Sequence, residues 1–229
     1  MIAGIDGTPE GWVVVVCDDD LISPTAFLVT QLVDLPRGLR VAAIDVPIGL
    51  PEKGARDADR LARKALGEPR RRSVFPSPVR SVLGAHSWKE ACARAQRADG
   101  RSLSKQTFAI LPKIAEADAL VRSGPWARRI VHEVHPELSF AKWSGAPMVH
   151  RKKSPAGRQE RLALISATFG PAVFESARGS LRGHRVGSDD LADAFAAAWT
   201  AARIRAGKAE RLPAERTVDA EGVAMHIWA

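Results

Sequence analysis

Residues 1–16, "MIAGIDGTPEGWVVVV", decide the fold class of this chain. Two β-rich runs, Ile2–Ile5 and Trp12–Cys17, flank a short turn that contains glycine and proline, and this pattern predicts a β-hairpin. Aspartate is depleted inside strands because its carboxylate competes for backbone hydrogen bonds and resists burial. Asp6 is therefore expected at the carboxyl end of the first strand, either as a turn residue or for chemistry.

Two further strands are predicted after the hairpin. Residues 25–30 are β-rich and follow a short acidic connection, which favours an antiparallel meander of three strands. The continuous apolar run Val41–Ile44 is typical of a strand that is buried on both faces. This fourth strand also ends on an aspartate, Asp45.

The pattern becomes helical from Ala55 to about Arg122. Ser87 and Ser104 are predicted N-caps, and Pro112 has to kink or restart the helix that contains it. The segment "RRIVHEVHPELSF" (128–140) returns to strand character and is stopped by proline.

The remainder of the chain is mainly helical by its pattern. A helix is predicted over 156–168, and a Gly-rich connection leads to "SDDLADAFAAAWTAARIR" (188–205), the clearest helix of the chain, with Ser188 as N-cap. "GVAMHIWA" (222–229) predicts a short closing strand. The sequence thus predicts a single α/β domain over 1–229, with a mixed sheet and a helical, basic insertion at about 51–128.

Composition excludes several classes of protein. No apolar run approaches the roughly 18 residues that a membrane span needs, and the N-terminus has no basic leader. Cys17 and Cys92 lie far apart, so neither a thiolate zinc site nor a disulfide framework is indicated. We therefore expect a cytoplasmic protein with reduced thiols and no membrane partner.

The net charge of +8 is unevenly distributed along the chain. Residues 1–50 carry a net charge of −5 and residues 188–229 carry −2, whereas 51–113 carry +9 and 114–187 carry +6. A basic middle between acidic ends suggests a polyanionic partner, with a solvated basic surface as the alternative.

Carboxylates recur where the predicted elements end. Asp6 and Asp45 end two strands, Glu133 lies in the fifth strand, and Asp190 and Asp193 share one face of the last helix. Carboxylates that converge repel one another unless a cation neutralises them, and such hard oxygen ligands select Mg²⁺ or Mn²⁺. Two such ions can activate a water and stabilise the leaving oxygen of a phosphodiester.

The order of elements and acids resembles the ribonuclease H-like fold. "DDLADAFAAAW" (189–199) is similar to the terminal acidic helix of the Holliday-junction resolvase branch. The whole chain resembles the domain of unknown function 429 family, usually described as predicted nucleases of this fold. The matching stretches are "GIDGTPEGWVV", "IDVPIGLPE", "RRRSVFPSPVR", "EVHPELSF", "DDLADAFAAAWTAARI" and "GVAMHIW".

The resemblance and the acidic pattern together assign candidate site residues. The predicted catalytic residues are Asp6, Asp45, Glu133 and Asp193, and the predicted Mg²⁺ or Mn²⁺ ligands are Asp6, Asp45, Asp190 and Asp193. Asp189 is interpreted as a first-turn acid of the helix, and either Glu133, Glu137 or Asp190 completes the cluster. His135 is a candidate to contact the metal ligands without binding the metal itself, or to act as a proton shuttle. The alternative is an ordinary core or surface histidine.

Basic residues are the candidate contacts with nucleic acid. Phosphate contacts are predicted for Arg70, Arg71, Arg72, Arg80, Lys152 and Lys153. Phe75, Trp88 or Trp143 are candidates for stacking on bases. Each of these cations has a solvated-surface alternative.

Three functions remain open at the level of sequence. The first is a metal-dependent nuclease that acts on DNA or RNA and works as a monomer or a homodimer. The second is a nucleic-acid-binding or adaptor module of the same fold without significant catalysis. The third follows from "GIDGTPEGWVVVV", which resembles the first phosphate loop of actin-like ATPases and sugar kinases, although the chain has no second Gly-rich loop.

Overall fold

The computed structural model describes residues 1–229 and contains a five-stranded mixed sheet in the order β3-β2-β1-β4-β5. The strands are β1 (Ile2–Thr8), β2 (Gly11–Cys17), β3 (Thr25–Val29), β4 (Val41–Ile44) and β5 (Val131–Glu133). The first three strands pair antiparallel, and β4 and β5 continue the sheet in parallel with β1. The predicted α/β class with a mixed sheet is confirmed.

The first strand is longer than its sequence pattern suggests. Thr8 pairs with Gly11 across the turn, so β1 continues two residues beyond Asp6. The expectation that Asp6 ends the strand is therefore wrong. The ladder with β2 supplies backbone partners up to the turn, and this tertiary pairing outweighs the low strand preference of aspartate.

Nine α-helices surround the sheet. They are α1 (Asp57–Leu66), α2 (Trp88–Asp99), α3 (Lys105–Ala109), α4 (Leu111–Arg122), α5 (Pro125–Ile130), α6 (Pro136–Ser144), α7 (Pro155–Phe169), α8 (Val173–Ser180) and α9 (Ser188–Arg205). The predicted caps Ser87 and Ser104 accept hydrogen bonds from the N–H groups of Glu90 and Thr107, at 3.1 and 3.0 Å. No helix of the chain is long and apolar enough to cross a membrane.

The structure differs from the predicted elements at three places. The strand expected over 128–135 is only three residues long, because α5 reaches Ile130 and α6 begins at Pro136. Proline suits the first turn of a helix, so Pro136 starts a helix as well as stopping the strand. Helix α8 lies in the predicted Gly-rich connection, and α9 is capped by Gly187 instead of Ser188.

The two faces of the sheet carry different helices. Ile5, Val14 and Ile44 pack with α2 and α4 on one face, and the segment between β4 and β5 provides this layer. Val13 and Ala43 pack on the other face against α9, with α6, α7 and α8 around it. Two short strands near the C-terminus, β6 (Arg211–Leu212) and β7 (Ile227–Trp228), form a separate ribbon.

Helix α9 lies unusually close to β1 at Gly4. A Cβ atom built on Gly4 would lie 2.1 Å from both the carbonyl oxygen of Ala194 and the amide nitrogen of Ala198. Such distances leave no room for any side chain. The alanine-rich face of α9 is fully buried at Ala194, Ala197 and Ala198, so small residues on both elements permit this approach.

A buried ion network joins β5 to the start of α1. The guanidinium of Arg56 donates two hydrogen bonds to the carboxylate of Glu133, both at 2.7 Å, and one to Asp59 at 2.6 Å. The carboxylate of Glu133 also accepts a 2.7 Å hydrogen bond from the N–H of Ile48. All three charged side chains are buried. Because two carboxylates share one guanidinium, burial and the charge of Asp59 outweigh Arg56 and raise the pKa of Glu133 to about 7.

The close approach at Gly4 predicts a sharp difference between two glycines of the same strand. Gly4→Ala should lower the free energy of unfolding by about 1–3 kcal/mol or prevent folding, because backbone atoms on α9 have to move. Gly7→Ala is the matched control, since its added Cβ would meet side-chain atoms only at 3.7 Å or more. Urea unfolding measures both values. Equal stability of the two variants would contradict the packing described here.

The buried network predicts that Glu133 stabilises the fold. Glu133→Gln should lower the free energy of unfolding by about 1.5–3 kcal/mol, because an amide cannot accept both hydrogen bonds from Arg56, which keeps only Asp59 as an anionic partner. Asp57→Asn is the control, since Asp57 pairs with Arg60 at 2.9 Å on the surface and should be neutral. Chemical denaturation measures both. A Glu133→Gln protein with wild-type stability would argue for a role of Glu133 in chemistry instead.

Candidate metal centre

Asp6 and Asp45 lie side by side on neighbouring parallel strands. Ile5 of β1 pairs with Ile44 of β4, and the N–H of Asp45 donates a 3.0 Å hydrogen bond to the carbonyl of Ile5. Side chains alternate along a strand, so the residue after each isoleucine points to the opposite face. Both carboxylates therefore lie on the face of the sheet that α9 covers.

Helix α9 adds a third aspartate from above the sheet. Asp193 precedes Ala194, the residue whose carbonyl lies against Gly4, so the contact that holds the helix also positions this carboxylate. One carboxylate oxygen from each of Asp6, Asp45 and Asp193 lies within 4.8 Å of the others. We call these three residues the aspartate triad. The sequence predicted this convergence, and the structure brings the three together.

The electrostatics of the triad disfavour three negative charges. Burial, and then the nearby carboxylates of Asp45, Asp193 and Asp190, raise the pKa of Asp6 well above its usual range. Burial raises the pKa of Asp45 and that of Asp193 to about 7 in each case. The triad therefore binds protons near neutral pH unless another cation replaces them.

Lys152 supplies such a cation from the loop before α7. Its Nζ atom donates a 2.7 Å hydrogen bond to Oδ2 of Asp193. Burial lowers the pKa of Lys152, but the charges of Asp193, Asp45 and Asp6 outweigh burial and raise it above the usual value. The structure thus places Lys152, predicted as a phosphate contact, on the acidic cluster.

Glu137 is the fourth carboxylate beside the triad. Its charge contributes to the raised pKa of Asp45 and to that of Asp193. Oε1 accepts a hydrogen bond from Arg161, whereas Oε2 is buried and has no hydrogen-bond partner. Glu137 is the second residue of α6, so its direction depends on the helix and could not be predicted from strand alternation.

Asp190 and Asp189 stand at the start of α9. The carboxylate of Asp190 accepts a 3.0 Å hydrogen bond from the N–H of Gly187, so it caps the helix. Its charge still contributes to the raised pKa of Asp6. Asp190 therefore lies near the triad but is already engaged, and its predicted role as a metal ligand stays a prediction.

Glu133 lies on the wrong face for the predicted catalytic role. Ile44 pairs with Glu133 in the sheet, and paired residues point to the same face, the one opposite the aspartate triad. Its carboxylate is engaged by Arg56 in the buried ion network. Glu133 lies in the fifth strand as predicted, but its side chain packs on the face of the sheet opposite the aspartate triad.

His135 precedes the first residue of α6, makes no side-chain hydrogen bond to the helix end, and lies near Asp193 of the triad. Its Nε2 atom is 3.2 Å from the carbonyl of Ser73, and its Nδ1 atom is buried without a partner. Burial lowers the pKa of His135, so the ring is neutral at pH 7, with Nε2 as donor and Nδ1 as acceptor. Alternation does not relate it to Glu133, because the strand ends between them.

Two of the predicted phosphate contacts are used inside the protein. Arg70 is buried and donates to the carbonyl oxygens of Met148 and Val149 at 2.7 and 2.6 Å. Arg80 donates two hydrogen bonds to Asp118, at 3.0 and 2.9 Å, and a third to Asp219. These contacts correct the prediction for both residues, because a guanidinium with internal acceptors is not free to bind a phosphate.

The remaining predicted cations are exposed. Arg71 pairs with Glu68 on the surface, at 2.5 Å, and Arg72 and Lys153 form no ion pair. Arg71 and Arg72 line a groove together with the exposed ring of Phe75, one of the predicted stacking residues. Their predicted contact with nucleic acid is compatible with this exposure and stays a prediction.

Comparison with known proteins gives a family and no activity. No curated protein and no solved structure shows significant similarity to the chain. A family model described as "Protein of unknown function (DUF429)" matches residues 4–218, which include the whole aspartate triad and Lys152. The chain therefore belongs to the DUF429 family of proteins of unknown function.

Proposed function

We propose that this protein is a metal-dependent nuclease with a ribonuclease H-like fold. The observation that carries the proposal is the aspartate triad, whose carboxylate oxygens lie within 4.8 Å on two neighbouring strands and a facing helix. The fold assignment is supported by the strand order, in which two parallel strands follow three antiparallel ones. It is also supported by the acidic residues, which lie on β1, directly after β4 and on the last long helix.

The chemistry of the site suits Mg²⁺ or Mn²⁺. Its donors are carboxylate oxygens without sulfur or an adjacent ligating imidazole pair, which favours hard divalent cations. Neither oxygen of the Asp45 side chain accepts a hydrogen bond, and Oε2 of Glu137 has no partner, so both offer free lone pairs. The ammonium of Lys152 on Asp193 indicates that the cluster attracts a positive charge.

Each residue has a defined task in this proposal. Asp6, Asp45 and Asp193 would hold the ions, and Glu137 would extend the set of ligands. The metal supplies an activated water and stabilises the charge that develops on the phosphoryl oxygens. The neutral ring of His135 offers an unpartnered Nδ1 atom that can accept a proton. Lys152, Lys153, Arg71 and Arg72 would hold the polyanionic substrate.

A nucleic-acid-binding module without turnover is the second candidate. The observation that favours it is again Lys152, because an internal ammonium that neutralises the triad reduces the need for a metal. In that case Lys152 would neutralise the acidic cluster internally, and the exposed cations would carry the function. Binding of nucleic acid alone does not separate the two candidates, whereas metal-dependent cleavage does.

Cleavage assays test the proposed function directly. Purified protein with Mn²⁺ should cleave at least one of branched, single-stranded or duplex DNA and RNA, and Asp45→Asn should abolish this activity. The loss should exceed the roughly 10–100-fold typical of residues that only orient a metal ligand. Asp57→Asn, an exposed aspartate on α1, is the control and should retain full activity. Cleavage that persists in Asp45→Asn would point to a contaminant or to another site.

Melting curves test the triad without any substrate. A carboxyl whose pKa is raised in the folded state holds a proton that the unfolded state releases, so the metal-free protein should lose stability as the pH rises from about 4 to about 7. Asp6→Asn removes one charge and keeps an oxygen that can accept the 2.8 Å hydrogen bond from Gly7. In chelator it should be more stable than wild type at pH 8, by on the order of 1 kcal/mol, and equal at pH 4.

The same variant should also lose its response to metal. Millimolar Mn²⁺ should raise the Tm of the wild type, because the ion binds the folded state preferentially, and should leave that of Asp6→Asn unchanged. Asp57→Asn should respond like the wild type. A wild type that does not respond to Mn²⁺, with Asp6→Asn less stable in chelator, would make Asp6 a structural residue of β1 and favour the non-catalytic candidate.

A further inference from the structure

A cavity of about 330 Å³ adjoins the aspartate triad between α7 and the start of α9. Its walls include Asp193, which belongs to the triad, and Lys152, which bonds to it. The other charged groups that line it are Lys153, Arg158, Arg161 and Asp189. Because the cavity shares a wall with the triad, any ligand in it lies next to the proposed metal centre.

The charges around the cavity are not balanced by internal ion pairs. Lys152 pairs with Asp193 and Arg161 pairs with Glu137, whereas Lys153 and Arg158 form no ion pair. Asp189 is the one lining acid that forms no ion pair. Two unpaired cations against one unpaired acid leave an excess of positive charge at the cavity, which makes an anionic ligand favourable there.

Arg161 holds a buried guanidinium beside the cavity. It donates hydrogen bonds to the carboxylate of Glu137 and to the carbonyl oxygen of Gly157, so its charge is fixed in this wall. The first turn of α9 also lines the cavity through Ser188, and the positive end of a helix dipole favours a negative ligand.

We propose that this cavity binds the terminal phosphate monoester of a nucleic acid strand. The proposal rests on the nuclease function above for the identity of the strand. A terminal phosphate carries close to two negative charges at pH 7, so a cavity with an excess of cations attracts it more strongly than an internal phosphodiester, which carries one. The volume lies at the lower end for ligand pockets, so it accommodates a strand end and excludes a duplex.

The position of this phosphate site predicts which nucleic acids the protein would prefer as substrates. A strand whose end occupies the cavity has its first linkages close to Asp193 and the triad. The protein would then prefer an end-phosphorylated strand over one that ends in a hydroxyl group. Lys152 contacts both regions, because it bonds to Asp193 and lines the cavity, and so it connects the phosphate site to the metal centre.

Binding in chelator tests this proposal separately from catalysis. Wild-type protein is titrated with a short single-stranded oligonucleotide that carries a 5′-phosphate, a 3′-phosphate or neither, and with inorganic phosphate alone. One phosphorylated form should bind about tenfold tighter than the hydroxyl form. The double variant Lys153→Gln/Arg158→Gln should lose this preference. Arg151→Gln, an exposed arginine on the same loop without an ion pair, is the matched control and should keep it.

The outcomes separate the two proposals. Equal affinity for all oligonucleotide forms would overturn the phosphate site and leave the nuclease proposal intact. A preference for inorganic phosphate that is absent for strand ends would also overturn it, since the site would then serve a free anion. A preference for one phosphorylated end that the double variant lacks, with its Tm unchanged, supports the site even if no cleavage is found.

Discussion

The contact between Gly4 and the alanine-rich face of α9 fixes where the acidic side chains lie. Backbone approaches backbone at this point, and the structure leaves no space for a Cβ atom on Gly4. Asp6 follows two residues later on the same face of β1, and Asp193 directly precedes the alanine that Gly4 touches. A longer side chain at Gly4 would separate the helix from the sheet and with it the carboxylates. The packing of the fold and the geometry of the site therefore depend on the same few small residues.

The aspartate triad opposes the stability that this packing gives. The buried carboxylates of Asp6 and Asp193 and the half-buried one of Asp45 disfavour one another's charged forms, and desolvation raises their pKa values further. Lys152 compensates part of the charge, but its ammonium comes from a loop and is still partly exposed. Structures retain such unfavourable clusters where function requires them, which is why the triad carries the functional proposal. Burial also raises the pKa of Glu133 to about 7, but both oxygens of this carboxylate are bonded to Arg56, so its geometry leaves no place for a metal ion.

The sheet and the triad are predictable from the sequence, but side-chain direction is not where it depends on tertiary contacts. Asp6 and Asp45 each follow an apolar β-rich run, and Asp193 lies on the acidic face of a clear helix, although β1 continues two residues beyond Asp6. Glu133 was assigned to the wrong side, since the face of a three-residue strand follows from its register with β4. His135 and Glu137 lie where the strand changes into a helix, so neither periodicity describes them. The sequence shows the charge of Arg70 and Arg80, but not the carbonyls and carboxylates that engage them.

Several basic residues are engaged by acceptors inside the protein, so the net charge of +8 does not show how many cations are free to bind a ligand. Arginines such as Arg56 and Arg80 bridge several acceptors at once, a task that suits the planar guanidinium with its five donors. The basic middle of the chain therefore offers fewer free cations to a polyanion than its composition suggests. The cations beside the triad line one cavity, and Lys152 contacts both this cavity and the triad. A cation on Asp193 would replace the ammonium of Lys152 there and leave it available to a phosphate. Metal and phosphate would then each favour the binding of the other, because a coupling between two sites acts in both directions.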